Sequence, residues 1–183
     1  MTSKDAEVLN GILTRSASPW MDGSGELGSV VISSRVRLAR NLEDVPFPHL
    51  LSENDASAVM EKVFEAARNI GEKGFGGPVI SISLDKIPPL DCQVLVEKHL
   101  ISPQHAQGKA GQGLVLRHDE AAAIMVNEED HLRIQVLRSG LELEEAWVLA
   151  SGIDDLFEQN LDYAYDERIG YLTCCPTNVG TGI

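Results

Sequence analysis

Cysteine is scarce in this 183-residue chain, and basic residues are outnumbered. Cys92, Cys174 and Cys175 form no CxxC pair, which excludes a disulfide framework and a zinc knuckle and suits a reducing compartment. Lys and Arg number 15 against 28 Asp and Glu, for a net charge of -13. Nucleic acid and anionic membranes repel such a chain, so neither is expected as a partner, whereas an anion held by a local basic cluster remains allowed. No apolar run reaches membrane-spanning length, and the opening MTSKDAEVLNGILTRS lacks the apolar core of a signal peptide. A cytoplasmic protein is the expectation. Walker, GxGxxG, GxSxG and HExxH motifs are all missing, as are internal repeats and low-complexity tracts.

The residues that are present alternate between helical and strand periods. A short helix is expected over 5–15, followed by a loop and then a strand across the first half of SVVISSRVRLAR (29–40). Ser52 with Asp55 resembles a capping box, and Ala56, Val59, Met60, Val63, Phe64 and Ala67 recur at helical spacing, so a helix runs over 53–70 and ends near Gly71. PVISISL reads as a strand, 90–100 as a helix, and LVLRHD, AAIMVN and HLRIQVLR as an antiparallel meander joined by short turns. A helix over 142–160 and a last strand, IGYLTCC, follow. The fold class is α+β, an antiparallel sheet flanked by helices.

Three stretches could do chemistry. In SSRVRLAR, Arg35 and Arg37 lie two apart and leave one face of a strand, with Arg40 following on the connector. Such a pair is either a solvated strand face or a phosphate clamp of guanidinium forks. NEEDHLRI packs Glu128, Glu129 and Asp130 before His131 and Arg133. This is either a plain acidic turn or a carboxylate that orients a guanidinium or takes a proton, with Arg133 pointing toward whatever Arg35 and Arg37 hold if the strands share a sheet. Cys175 precedes a proline in a glycine-bearing loop, where nearby arginines would favour a thiolate; Cys174 reads as a buried small apolar residue. His99 and His105 flank a loop and read by default as surface histidines.

Together SSRVRLARN, NEEDHLRI and CPTNVGTG resemble the signature segments of the phosphagen kinases, the ATP:guanidino phosphotransferases, in that family's order. VEKHLISP resembles the segment before the family's acidic strand, and the likeness extends from Trp20 to Ile183. It implies the family's catalytic fold, resembling glutamine synthetase, with ATP and Mg2+ as cofactors. Residue by residue, it implies that Ser33, Ser34, Arg35, Val36 and Arg37 bind ATP phosphates, that His99 contacts the nucleotide, and that Arg133 holds phosphate. It further implies that Glu128 grips the substrate guanidinium and serves as a base, and that Cys175 lies against that guanidinium.

Only 32 residues precede Ser33, too few for the all-helical domain of kinases acting on free arginine or creatine. The short leader resembles the bacterial subclass that phosphorylates arginine side chains in proteins. That resemblance implies arginine-bearing protein substrates, a stress-response role, a Clp protease system and an activator protein, and leaves a homodimer open. The family continues beyond CPTNVGTG with an Arg-Ala-Ser stretch and further strands. The expectation is therefore that residues 1–183 are the N-terminal portion of one catalytic domain. A small-molecule guanidino kinase and a non-catalytic nucleotide- or arginine-binding module stand as alternatives.

Overall fold

The computed structural model describes residues 3–183. Five strands form one antiparallel sheet: β1 (Ser33–Arg40), β2 (Val79–Ser83), β3 (Gly113–Arg117), β4 (Ala122–Val126) and β5 (Leu132–Ser139), in spatial order β1-β5-β4-β3-β2. The expected meander is its centre. β1 joins at one edge through long-range pairing with β5, in a register that sets Arg37 opposite Gln135 and Ala39 opposite Arg133.

Because side chains alternate across a strand, this register sorts every residue onto one of two faces. Val36 and Leu38 of β1, with Leu132, Ile134 and Val136 of β5, enter one core with Val115, Ala122, Ile124 and Val126. That core is covered by α2 (Glu53–Phe75) and α4 (Leu143–Glu158). On the opposite face, Ile80, Ile82, Leu114, Leu116, Ala123 and Met125 pack beneath α1 (Ser3–Thr14) and α3 (Pro89–Glu97). These helices cover the β2–β3–β4 half only. Over β5 and β1 the same face presents Arg133, Gln135, Arg35 and Arg37.

The helix starts and stops follow local chemistry. The Ser52 hydroxyl accepts the Asp55 N–H at 3.2 Å and donates to its carboxylate at 2.6 Å, a closed cap for α2. Gly71, at φ 64° and ψ 175°, interrupts the helix where the sequence pattern ends it, and a short continuation runs to Phe75 before the left-handed Gly76.

Two expected strands are corrected. β1 occupies the last two thirds of 29–40, because the N–H groups of Val30 and Val31 turn back onto Leu27 O. Their β-branched side chains are overridden by a turn. IGYLTCC is a strand only at β7 (Gly170–Tyr171), paired with β6 (Tyr165–Asp166). Beyond it, Leu172 N bonds to Ala164 O and Cys174 N to the Asp130 carboxylate, so the chain is held by single contacts instead of a ladder.

Candidate functional site

The uncovered half-face is a basic platform at the edge of a cleft of about 380 Å3, whose lining includes Arg37, His99, Ser102, Glu128, Arg133 and Gln135. Arg37 Nε donates to Gln135 Oε1 at 3.0 Å, and Gln135 Nε2 donates to the His99 carbonyl at 2.7 Å. The buried glutamine thus ties the arginine strand to the loop after α3. Burial and the charges of Arg35 and Arg133 push the Arg37 guanidinium down to about 10, with Glu128 opposing them. Cations crowded this way favour an anion between them.

Glu128 stands on the turn between β4 and β5. Asn127 before it adopts φ 55°, and its side-chain amide donates to Ala56 O at 2.8 Å and Gly111 O at 2.7 Å. From that anchored residue Glu128 turns into the cleft. Burial pushes its carboxyl up, but the Ser102 hydroxyl at 2.6 Å, the Arg133 guanidinium at 2.6 Å and the Glu129 N–H at 2.9 Å outweigh it. The carboxyl is held below its ordinary value, so it is ionised at neutral pH.

The rest of NEEDH is scaffolding. Asp130 is buried and accepts Asn41 Nδ2 at 2.6 Å and Cys174 N at 2.7 Å. His131 is buried with Nδ1 accepting Leu42 N at 2.9 Å, which leaves Nε2–H to donate to Pro46 O at 3.0 Å; burial depresses its pKa.

His99 is exposed at φ 58°, edge-on to Trp20 with ring centroids 5.3 Å apart. Its position is braced from beneath. Lys98 is buried and ion-paired at 3.2 Å with Glu120, which also receives Arg15 at 3.1 Å and the Ser18 hydroxyl. Trp20 Nε1 donates to Lys98 O at 3.2 Å. His105 is corrected from a surface residue: it is fully buried, with Nε2 bonded to Gly113 O at 2.9 Å.

The structure brings Arg37, Arg133, Glu128 and His99 to one cleft, with Arg35 exposed on the same face beside it. Ser34 is buried and its hydroxyl is engaged with Gly140 O and Glu142 N, while Val36 faces the α2–α4 core. Arg40 ends β1 and does not lie on a connector. It is buried, ion-paired with Asp154 at 2.6 Å and stacked 3.7 Å from the Tyr171 ring centroid. Cys175 shares a contact of 2.9 Å with the Thr177 hydroxyl, and no hydrogen bond among the described residues joins it to the arginines or Glu128. Cys174, only partly buried, is pushed up to about 12 by burial and the Asp130 charge, so it is a neutral thiol.

Gln135 and Ser102 were missed in the sequence. Gln135, two residues beyond Arg133, was accessible from the two-residue strand period; Ser102 carries no such signal.

Among the described residues no group of three or more His, Cys, Asp or Glu forms a metal cage, and no helix is long and apolar enough to cross a membrane. A crowd of cations without such a cage suits a ligand that carries its own anionic oxygens, as a polyphosphate does, next to a fixed carboxylate that suits a cation. Residues 58–183 match the C-terminal catalytic domain of the ATP:guanido phosphotransferases. This chain belongs to that family.

Similar proteins include the protein-arginine kinases of Symbiobacterium thermophilum, 52% identical over 95% of this chain and 49% of that one, and of Pelotomaculum thermopropionicum, 47% identical over 96% and 49%. The chain spans about half the length of these curated relatives. Among solved structures, the duplicated taurocyamine kinase of Schistosoma mansoni with bound transition-state-analogue components superposes with TM-score 0.78 at 24% identity, over 91% of this chain and 25% of that one. A lombricine kinase gives 0.67 at 22%, over 95% and 54%. These two likenesses concern the fold alone.

Proposed function

We propose that the whole protein transfers the γ-phosphoryl group of ATP to arginine side chains of proteins, and that this chain supplies phosphate and guanidinium contacts for the reaction. The observation that carries the reading is the juxtaposition of the crowded Arg37 with Glu128, a carboxylate fixed in its ionised form. ATP, when bound with Mg2+, supplies the phosphoryl group and bridging charge.

In this reading Arg35, Arg37 and Arg133 hold phosphate oxygens through charge-assisted forks. Ser33, Ser34 and Val36 contribute through the strand that carries them, and His99 borders the nucleotide. Mg2+ would accompany the phosphates and offset their charge. An arginine guanidinium stays protonated at neutral pH and is a poor nucleophile, so the chain must orient it and receive its proton. Glu128 grips it by charge. Cys175 approaches it from the CPTN loop, which is moored to the NEED turn through the Cys174–Asp130 bond. Arginine-bearing proteins as substrates follow from the 52% likeness to a protein-arginine kinase. A Clp protease system, an activator protein, a homodimer and a cytoplasmic setting belong to the same proposal.

The test uses the whole protein with Glu128→Gln, which keeps the shape and removes the charge. Phosphoarginine formation on a protein substrate should nearly vanish while ATP still binds by calorimetry. Turnover of free arginine at the rate of protein arginine would assign the site to a small-molecule kinase instead.

A further inference from the structure

The Glu128 carboxylate has about four acceptor positions, two on each oxygen. Oε2 receives Arg133 Nη1 at 2.6 Å and Glu129 N–H at 2.9 Å. Among the described residues only the Ser102 hydroxyl, also at 2.6 Å, donates to Oε1, so its second position is the one left to face a ligand.

The direction of the Ser102 bond is forced. Its oxygen accepts the His105 backbone N–H at 3.1 Å, and a backbone amide can only donate, so the single hydroxyl proton is free for Glu128. The loop that carries Ser102 is itself anchored. His105 is fully buried and its Nε2–H donates to the carbonyl of Gly113, the first residue of β3. A short line of bonds therefore runs from the sheet through His105 and Ser102 to the carboxylate.

We propose that Ser102 is a positioning residue, which fixes the rotamer of Glu128 and leaves one acceptor position on Oε1 for the substrate guanidinium. The proposal rests on the phosphotransfer reading for its last clause only; the hold on the carboxylate is a property of this chain.

Ser102→Ala removes the donor, and Ser102→Thr retains it at a half-buried position. The first measurement is a carbon-13 NMR titration of the Glu128 side-chain carboxyl in the whole protein, its signal assigned by loss in Glu128→Gln. The Ala variant should titrate at higher pH than the parent, and the Thr variant should return to the parent midpoint. An unmoved midpoint in Ser102→Ala, or a Thr variant that behaves like Ala, overturns the hold on the carboxylate, whatever the enzyme does. The second measurement is the pH profile of phosphotransfer by the whole protein. Ser102→Ala should lower kcat/KM about tenfold, the worth of one charge-assisted hydrogen bond, and move the acid limb to higher pH, with Thr rescuing both. A midpoint that moves without the acid limb overturns the catalytic clause. Loss of all phosphotransfer by the parent refutes the functional reading and leaves the titration to decide the positioning.

Discussion

Strands β1 and β5 carry two unlike surfaces on one backbone. Their even-numbered residues, Val36, Leu38, Leu132, Ile134 and Val136, are buried beneath α2 and α4, whereas the odd-numbered Arg35, Arg37, Arg133 and Gln135 line the opposite face, beside the part that α1 and α3 cover. Each strand is therefore fixed by one face and free to do chemistry with the other. Apolar burial is non-directional and contributes in proportion to area, so the even face can hold the strands in place without help from the arginines. The odd face concentrates cations whose mutual repulsion is a cost until an anion arrives. Stability and binding should consequently separate by residue parity.

The largest effect should come from the buried face. Ile134 is fully buried among side chains of β1, β4 and α4. Ile134→Ala should cost about 2–5 kcal/mol through lost burial and the cavity left behind. In a chain of this size that is a fall of roughly 4–20 °C in melting temperature. A calorimetric scan with an unchanged transition would show that the even face does not carry the fold.

Arg37→Ala on the opposite face should behave in reverse. It removes one hydrogen bond to Gln135 and one member of a repelling cluster, so the folding stability should stay within about 1 kcal/mol of the parent. Nucleotide affinity should fall about tenfold or more, since a charge-assisted contact is worth roughly 1.5–3 kcal/mol. Arg35→Ala and Arg133→Ala should weaken binding in the same sense, with the added consequence in Arg133→Ala that Glu128 loses its ion pair. Calorimetry giving parental ATP affinity for all three variants would leave the odd face a solvated surface and nothing more.

The parity itself was legible in the sequence, because a two-residue period puts Arg35 and Arg37 on one side and Val36 and Leu38 on the other whatever the partner strand is. The helix at 53–70 was legible for the same kind of reason: its cap, its stripe and Gly71 are all local. What brought Arg133 to Arg37 was not local. It required β1 to pair with β5 across nearly a hundred residues, and composition carries no record of that choice. The same holds for His105, which looks like a polar loop residue until its ring is seen bonded to β3, and for Ser102, whose partner lies on another loop. The failed strand at 169–175 teaches the complementary lesson. Its residues have strand-like character, yet its backbone groups bond to Ala164 and to the Asp130 carboxylate, so the tertiary setting overrides propensity.

The smallest expected effect tests whether polar groups on the site side add to stability after all. His131 and His105 are both buried, and burial depresses the pKa of each below 6.5 despite the opposing backbone hydrogen bonds. Unfolded, each would take a proton near that ordinary value; folded, each resists it. The unfolded chain therefore binds more protons in the interval between the two values, so the stability contributed by the neutral rings is complete above pH 6.5 and is lost as pH falls toward the folded values. Glu128, also depressed, adds a similar loss only below its ordinary 4.5. The melting temperature should thus decline modestly from pH 7 to pH 5, ahead of the carboxylates. His131→Gln keeps an acceptor for Leu42 N–H and a donor for Pro46 O but cannot titrate. It should flatten part of the decline while lowering stability at pH 7 by about 1 kcal/mol or less, the scale of one imperfectly replaced hydrogen bond. A variant whose melting temperature keeps the parental slope would show that His131 is solvated enough to protonate in place, and that the stability of the fold belongs to the apolar face alone.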